Sequence, residues 1–261
     1  MSDVLVICYH GVSARWPSSL AITPEQLEQQ LRFLVRRGYR GATFEQAVLS
    51  PSAARTLAVT FDDGYRSVLT QALPVLDSLG LPGTVFVVTD FVGQDRAMSW
   101  PGIEEWVGTP HEDELVSLSW EELRLLRDAG WEVGSHTRSH PRLSRLHDST
   151  LRRELHESRI ASEERLGGCT TLALPYGDGD DRVLAGAEAA GYAAVGGLPA
   201  PGVPTAGWPR VGVYPPDSLP RFRVKVARPV RRVREGRLLR PLEALLRGRP
   251  QTAGHERAEL E

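Results

Sequence analysis

Leu57-Ala58-Val59-Thr60-Phe61-Asp62-Asp63-Gly64 runs from an apolar, partly β-branched stretch into two adjacent carboxylates and a glycine. A short continuous apolar run bounded by a turn signal reads as a strand covered on both faces, and the aspartates mark its exit. Adjacent carboxylates at the end of a buried strand repel one another and lose hydration, costs that a bound cation offsets. The chain offers that cation further ligands. Gly134-Ser135-His136-Thr137-Arg138-Ser139-His140 carries two imidazoles at His-x-x-x-His spacing, directly after the strand-like Trp131-Glu132-Val133. One carboxylate and two imidazoles suit zinc or a similar divalent ion, with a position left open for water.

Outward from this stretch, strand and helix patterns alternate. A first strand is expected near residues 4–9. Thr23-Pro24-Glu25-Gln26 then supplies an N-cap, a proline at the first helical position and first-turn acid, and Leu27, Leu31, Leu34 and Val35 continue a helix to about Gly38. A short strand at 39–43 and a helix at 44–49 precede the aspartate strand, and a helix over 65–79 follows it. Thr84-Val85-Phe86-Val87-Val88 is a further strand. Ser119 and Glu122 form a capping-box pattern for a helix reaching Ala129. Beyond the histidines come a helix at 148–166, a strand at 171–174, a helix at 180–190 and a strand at 192–195. Such alternation predicts an α/β fold with parallel strands and ligands gathered at their carboxyl ends, where both motifs fall. Residues 91–118 break the pattern, being rich in Gly, Pro, Trp and acids, and are expected to be a surface insertion, either a lid or binding loop or a spacer.

With 261 residues, 41% hydrophobic and 25% charged, one main globular domain is expected. A formal net charge of −2 gives no whole-chain reason to expect nucleic acid. The apolar N-terminal run is too short for a signal-peptide core or a membrane span, so the chain as written is expected to be cytoplasmic. Only Cys8 and Cys169 could form a disulfide, and Cys8, within a predicted buried strand, is expected to be a structural thiol instead. Residues 1–220 are assigned to the main α/β domain, 221–249 to a basic, partly amphipathic segment and 250–261 to a disordered tail. From Arg221 to Arg249 only Glu235 and Glu243 oppose the basic residues, and interleaved Val and Leu suit either an anionic membrane surface or a helix packed on the domain.

The order of motifs closely resembles that of the polysaccharide deacetylase family, carbohydrate esterase family four. The resemblance rests on Thr60-Phe61-Asp62-Asp63-Gly64, Ser135-His136-Thr137 with His140, and Pro175-Tyr176-Gly177, with further likeness in Tyr9-His10-Gly11-Val12 and Trp120-Glu121-Glu122-Leu123. It implies a distorted (β/α) barrel of roughly seven parallel strands and metal-dependent removal of acetyl groups, N-acetyl above all, from an amino sugar, glycan or glycan precursor. Carried over, Asp63, His136 and His140 would be the metal ligands, Asp62 the general base, and the backbone N–H of Tyr176 a donor to the tetrahedral oxygen. Metal-bound water would attack the acetyl carbonyl.

Two departures matter. The arginine that in the family stands three positions before the tyrosine and braces the catalytic aspartate is Ala173 here, and Arg210 is the candidate replacement. The late leucine-rich motif ending in histidine is absent, and His10, at the exit of the first strand, is the candidate general acid. Competing readings are a hydrolase of a non-sugar amide or imide and a catalytically weak glycan-binding module.

Overall fold

The computed structural model describes residues 3–51, 53–199 and 205–234. Eleven strands occur among them: β1 (Asp3–Tyr9), β2 (Gly11–Val12), β3 (Ala21–Ile22), β4 (Arg40–Ala42), β5 (Arg55–Phe61), β6 (Thr84–Val87), β7 (Glu132–Ser135), β8 (Thr171–Ala173), β9 (Ala194–Gly197), β10 (Trp208–Pro209) and β11 (Val211–Gly212). The main sheet runs β10-β9-β8-β7-β6-β5-β1-β11, all neighbours parallel. Its two ends, β10 and β11, are separated by Arg210 alone. One stretch therefore pairs with β9 on one side and β1 on the other, completing a (β/α) barrel. Counted as a single stave, it brings the eight strands of the path to seven. β4 flanks the first half of β5, and β6 flanks the second.

The two-residue period of the strands divides each into an outer and an inner set. Leu5, Ile7, Tyr9, Leu57, Val59 and Phe61 pack outward against Leu27, Leu31 and Leu34 of α1 (Pro24–Arg36). Val6 and Ala58 face inward, with Phe86, Ala173 and Ala194, and Phe44 of α2 (Phe44–Leu49) joins them. The same alternation directs Cys8, Thr60 and Asp62 into the barrel. The interior is narrow at Gly196, where an added Cβ would lie 3.0 Å from Cδ and Nε of Arg210.

Three expectations need adjustment. The segment 65–79 is not one α-helix: a π-helical turn at Val68–Ala72 precedes α3 (Leu73–Ser78). Pro74 has no N–H to give and its ring crowds the carbonyl four residues back, so the ordinary ladder fails there. The insertion is no loose spacer. Phe91, Met98, Trp100, Ile103 and Leu115 form a buried cluster with Trp16 and Tyr65, and two 3-10 turns, Glu104–Trp106 and Glu112–Leu115, carry the chain around it.

The boundary expected at 220 falls inside a helix, Leu219–Lys225, which follows α4 (Trp120–Asp128), α5 (Asp148–Leu166) and α6 (Asp181–Ala189) and is α7. Phe222 is fully buried, edge-on to Phe33 at 6.5 Å. In the next helix, α8 (Arg228–Arg234), buried Arg231 donates to the Val4 carbonyl at 2.9 Å and pairs with Asp3. The basic segment thus begins as part of the barrel's outer layer; residues 235–249 and the tail 250–261 lie outside the described residues. Cys8 and Cys169 are both buried and free. Among the described residues no helix is long and apolar enough to cross a membrane.

Replacing Phe222 with Ala should destabilise the whole barrel by roughly 3–5 kcal/mol. Urea denaturation followed by tryptophan fluorescence measures this; a loss below about 1 kcal/mol would show that α7 is peripheral to the folding unit.

Candidate metal centre and active site

Each motif emerges at the carboxyl end of a strand: His10 after β1, Asp62 and Asp63 after β5, His136 after β7, and Tyr176 shortly after β8. Among the described residues four non-glycines have positive φ, namely Asp63 (71°), Thr137 (67°), His140 (64°) and Tyr176 (58°). All four lie in the three motifs. A left-handed non-glycine costs on the order of 1–3 kcal/mol, so their clustering marks the place where the fold holds strain. Gly64 continues the left-handed turn after Asp63 at φ 79°, and an added Cβ there would sit 3.0 Å from Val87.

Asp63, His136 and His140 converge in a buried group. Asp63 Oδ1 lies 3.4 Å from His136 Nε2 and 3.3 Å from His140 Nε2, and has no hydrogen-bond partner. His136 Nδ1 is 2.9 Å from the Ala173 carbonyl oxygen. A carbonyl only accepts, so the proton belongs on Nδ1, and Nε2 turns its lone pair toward Asp63. Such a group suits a cation held between the acceptors; burial alone would lower the His136 pKa, but Asp62 and Asp63 raise it, so without an ion a proton on Nε2 fills the same place. The spacing is about the edge of a tetrahedron with bonds of about 2.0–2.1 Å, as zinc prefers. These residues fit a divalent ion. Burial would raise the Asp63 carboxyl, but the two imidazoles hold it well below the usual carboxylate range. Burial lowers the pKa of His140, which favours the neutral, ligating form.

The histidine loop is pinned from below. Glu154 of α5 accepts from the backbone N–H groups of Arg138 and Ser139 at 3.0 and 2.9 Å and from the Ser139 hydroxyl at 2.6 Å. His140 is held differently: its Nδ1 is buried without a partner, while Trp100 of the insertion stacks on the ring at 4.3 Å and Tyr176 meets it edge-on at 4.6 Å. Tyr176, 36% exposed, donates its hydroxyl to the Pro101 carbonyl at 3.1 Å, so the insertion touches two of the motifs.

Asp62 sits beside this group but bonds elsewhere. Arg210 grips it with two bonds, Nη1 to Oδ1 at 2.7 Å and Nη2 to Oδ2 at 2.9 Å, and also reaches Thr60 Oγ1 at 3.2 Å. Both residues are buried. Burial pushes the Asp62 carboxyl up, yet the guanidinium overrides it and holds the group at about 2. Cys8 donates its S–H to Asp62 Oδ2 at 3.3 Å; burial raises the thiol well above its ordinary pKa, keeping it a donor. His10 joins the same cluster, the ligating atoms of Cys8, His10 and Asp62 all lying within 4.8 Å of one another. The His10 ring stacks on Tyr214 at 6.2 Å, and its Nδ1 is buried without a partner.

All seven residues singled out from the sequence therefore lie at one end of the barrel. Sequence reading missed Cys8 and Trp100. The first was within reach, since it is two residues before His10 and shares the inward period of Val6. No pattern marks Trp100.

A family model described as polysaccharide deacetylase matches residues 50–195. The chain is 29% identical over 170 residues to the chitooligosaccharide deacetylase of Bradyrhizobium sp. (strain ANU 289), covering 62% of this chain and 61% of that protein. It is 25% identical over 151 residues to the poly-beta-1,6-N-acetyl-D-glucosamine N-deacetylase of Escherichia coli (strain K12), covering 51% of this chain and 20% of that protein. It thus spans about three fifths and a fifth of the lengths of these relatives. Among solved structures, IcaB from Ammonifex degensii superposes with a TM-score of 0.68 at 26% identity, over 87% of this chain and 98% of that one.

Arg210→Met should cost roughly 3–5 kcal/mol by leaving Asp62 charged and unpaired, and adding Asp62→Asn should recover part of that loss. Denaturation of the two single variants and the double variant tests this; strictly additive losses would mean that the two side chains do not interact in solution. The family-model match over more than half of the chain, on a barrel whose strand ends carry its motif residues, shows that the protein belongs to the polysaccharide deacetylase family.

Proposed function

We propose that the protein is a metal-dependent hydrolase that removes N-acetyl groups from an amino-sugar glycan or its precursor. The observation that carries this reading is a carboxylate held anionic by Arg210 next to three convergent ligands, with Asp63 Oδ1 unpartnered. The names of the relatives, which act on chitooligosaccharide and on poly-N-acetylglucosamine, support the substrate class. Two imidazoles and one carboxylate favour zinc as the ion. Once bound, such an ion supplies Lewis acidity, polarising the acetyl carbonyl and making a water more acidic.

The chain's own groups supply the rest. Asp62, ionised at neutral pH and fixed by two guanidinium bonds, accepts the proton of the attacking water. The Tyr176 N–H stabilises charge on the carbonyl oxygen, a contribution of about 3 kcal/mol for one such donor. As the C–N bond breaks, His10 gives a proton to the leaving nitrogen, releasing acetate and a free amine. Arg210 occupies the bracing role for which Ala173 has no side chain.

Acetate release from N-acetylated oligosaccharides should fall about 10²- to 10⁴-fold in both Asp62→Asn and His10→Ala with metal content unchanged. The His136→Ala, His140→Ala double variant should lose the metal itself. Trp100→Ala should weaken metal affinity roughly 10- to 100-fold, read by chelator competition, because stacking replaces the hydrogen bond that usually orients a ligating histidine. Metal-loaded protein that releases no acetate from any such oligomer, yet cleaves a simple amide or only binds the glycan, would replace the proposal with one of its competitors.

A further inference from the structure

The opposite end of the barrel carries a feature that glycan hydrolysis does not use. Where β1 and β5 begin, α1 ends and α7 meets α8, a cavity of about 660 Å³ opens to solvent. This volume lies within the ordinary range for a small-molecule site. Arg37, Arg55, Arg223 and Arg228 line it, with Phe33 and Val224 contributing apolar wall. The guanidiniums of Arg37 and Arg223 both lie against Phe33, at 4.9 and 5.2 Å from the ring centroid, and are therefore about 10 Å apart at most. Arg55 donates to the backbone carbonyl of Arg37.

Charge is unbalanced here. Asp3 is the carboxylate lining the cavity, and it is already matched by buried Arg231, by Arg228 at 3.4 Å and by the Tyr39 hydroxyl at 2.7 Å. Among the described residues no carboxylate pairs with Arg37, Arg55 or Arg223. Favourable interaction with the carboxyl ends of α1 and α7 accounts for a cation at each helix end. It does not account for their convergence, from three separate elements, on one concave space with two of them against the same phenyl ring.

We propose that this cavity is a phosphate-recognition site, taking a phosphoryl group carried on a small organic moiety or a lipid headgroup. Guanidinium forks match phosphate oxygens two at a time, and the aromatic and aliphatic wall accommodates the uncharged part of the ligand. Because the site lies at the amino ends of the strands and the metal ligands at their carboxyl ends, occupancy does not compete with a glycan. It is a way to anchor or localise the enzyme while the catalytic rim stays open.

The full-length chain is titrated calorimetrically with inorganic phosphate and with glycerol 1-phosphate, and co-sedimented with phosphatidylglycerol and with phosphatidylcholine vesicles. The same measurements are made on Arg37→Gln/Arg223→Gln, on Arg37→Lys/Arg223→Lys, and on an Arg152→Gln/Arg153→Gln control, which alters exposed arginines of α5. Saturable binding of at least one phosphate carrier is expected. It should weaken at least about 10-fold in the Gln pair, weaken less in the Lys pair and remain unchanged in the control. Binding of the soluble phosphates identifies a small phosphorylated ligand, and binding confined to phosphatidylglycerol vesicles identifies a lipid headgroup. Absence of saturable binding, or equal loss in the control, overturns the proposal and leaves the deacetylase reading untouched.

Discussion

The bidentate pair between Arg210 and Asp62 is the contact on which the rest of the barrel's catalytic end depends. Without it, two aspartates would leave one strand into a dry interior with nothing to separate their roles. With it, the carboxylates part company: Asp62 points inward along the strand's alternation and meets a permanent cation, while Asp63, at positive φ, turns away toward two imidazoles. The barrel is shaped around the pair. Gly196 leaves room for the arginine's stem, Thr60 offers it a second acceptor, and Phe86 lies 5.4 Å beneath the guanidinium. A buried ion pair is seldom a gain in stability over apolar packing, so its retention makes sense chiefly as a device for keeping a carboxylate charged where burial would neutralise it.

Much of this was legible in the chain because the relevant rules are local. The strand before Asp62, the capping box at Ser119, and the exits carrying His10, His136 and Tyr176 follow from periodicity and turn chemistry within a few residues. Arg210 needed more. Nothing near it says that it faces inward; its candidacy came from the gap left by Ala173 and from the strand-like residues around it. Trp100 had no local signal at all, since its partner His140 is forty residues on and the insertion follows no secondary-structure period. The π turn at Val68–Ala72 was hidden for another reason, because apolar spacing reports which face is buried and says little about how the ladder accommodates a proline.

The insertion changes how the candidate metal centre is supported. His136 is oriented in the usual way, by a carbonyl acceptor on its second nitrogen. His140 instead sits between an indole and a phenol edge, and the loop that supplies the indole also accepts the tyrosine's hydroxyl. Rigidity at His140 therefore comes from packing, which has a broader minimum than a hydrogen bond. Together with four residues in left-handed conformations, this arrangement concentrates strain and looser restraint on the same rim of an otherwise tightly packed barrel.

The closing stave ties the wall of the barrel to the charge at the candidate site. Among the described residues Trp208–Gly212 follows every other strand in the sequence, and it carries the arginine that pairs with Asp62. Without its pairing to β9 and β1 the barrel would have an open seam, and Asp62 would lack its guanidinium partner. A chain with this stave unseated keeps every residue of the Asp-Asp and His-x-x-x-His motifs and still lacks the guanidinium partner of Asp62. Closure of the wall and the charge on Asp62 are thus coupled, because Arg210 serves both.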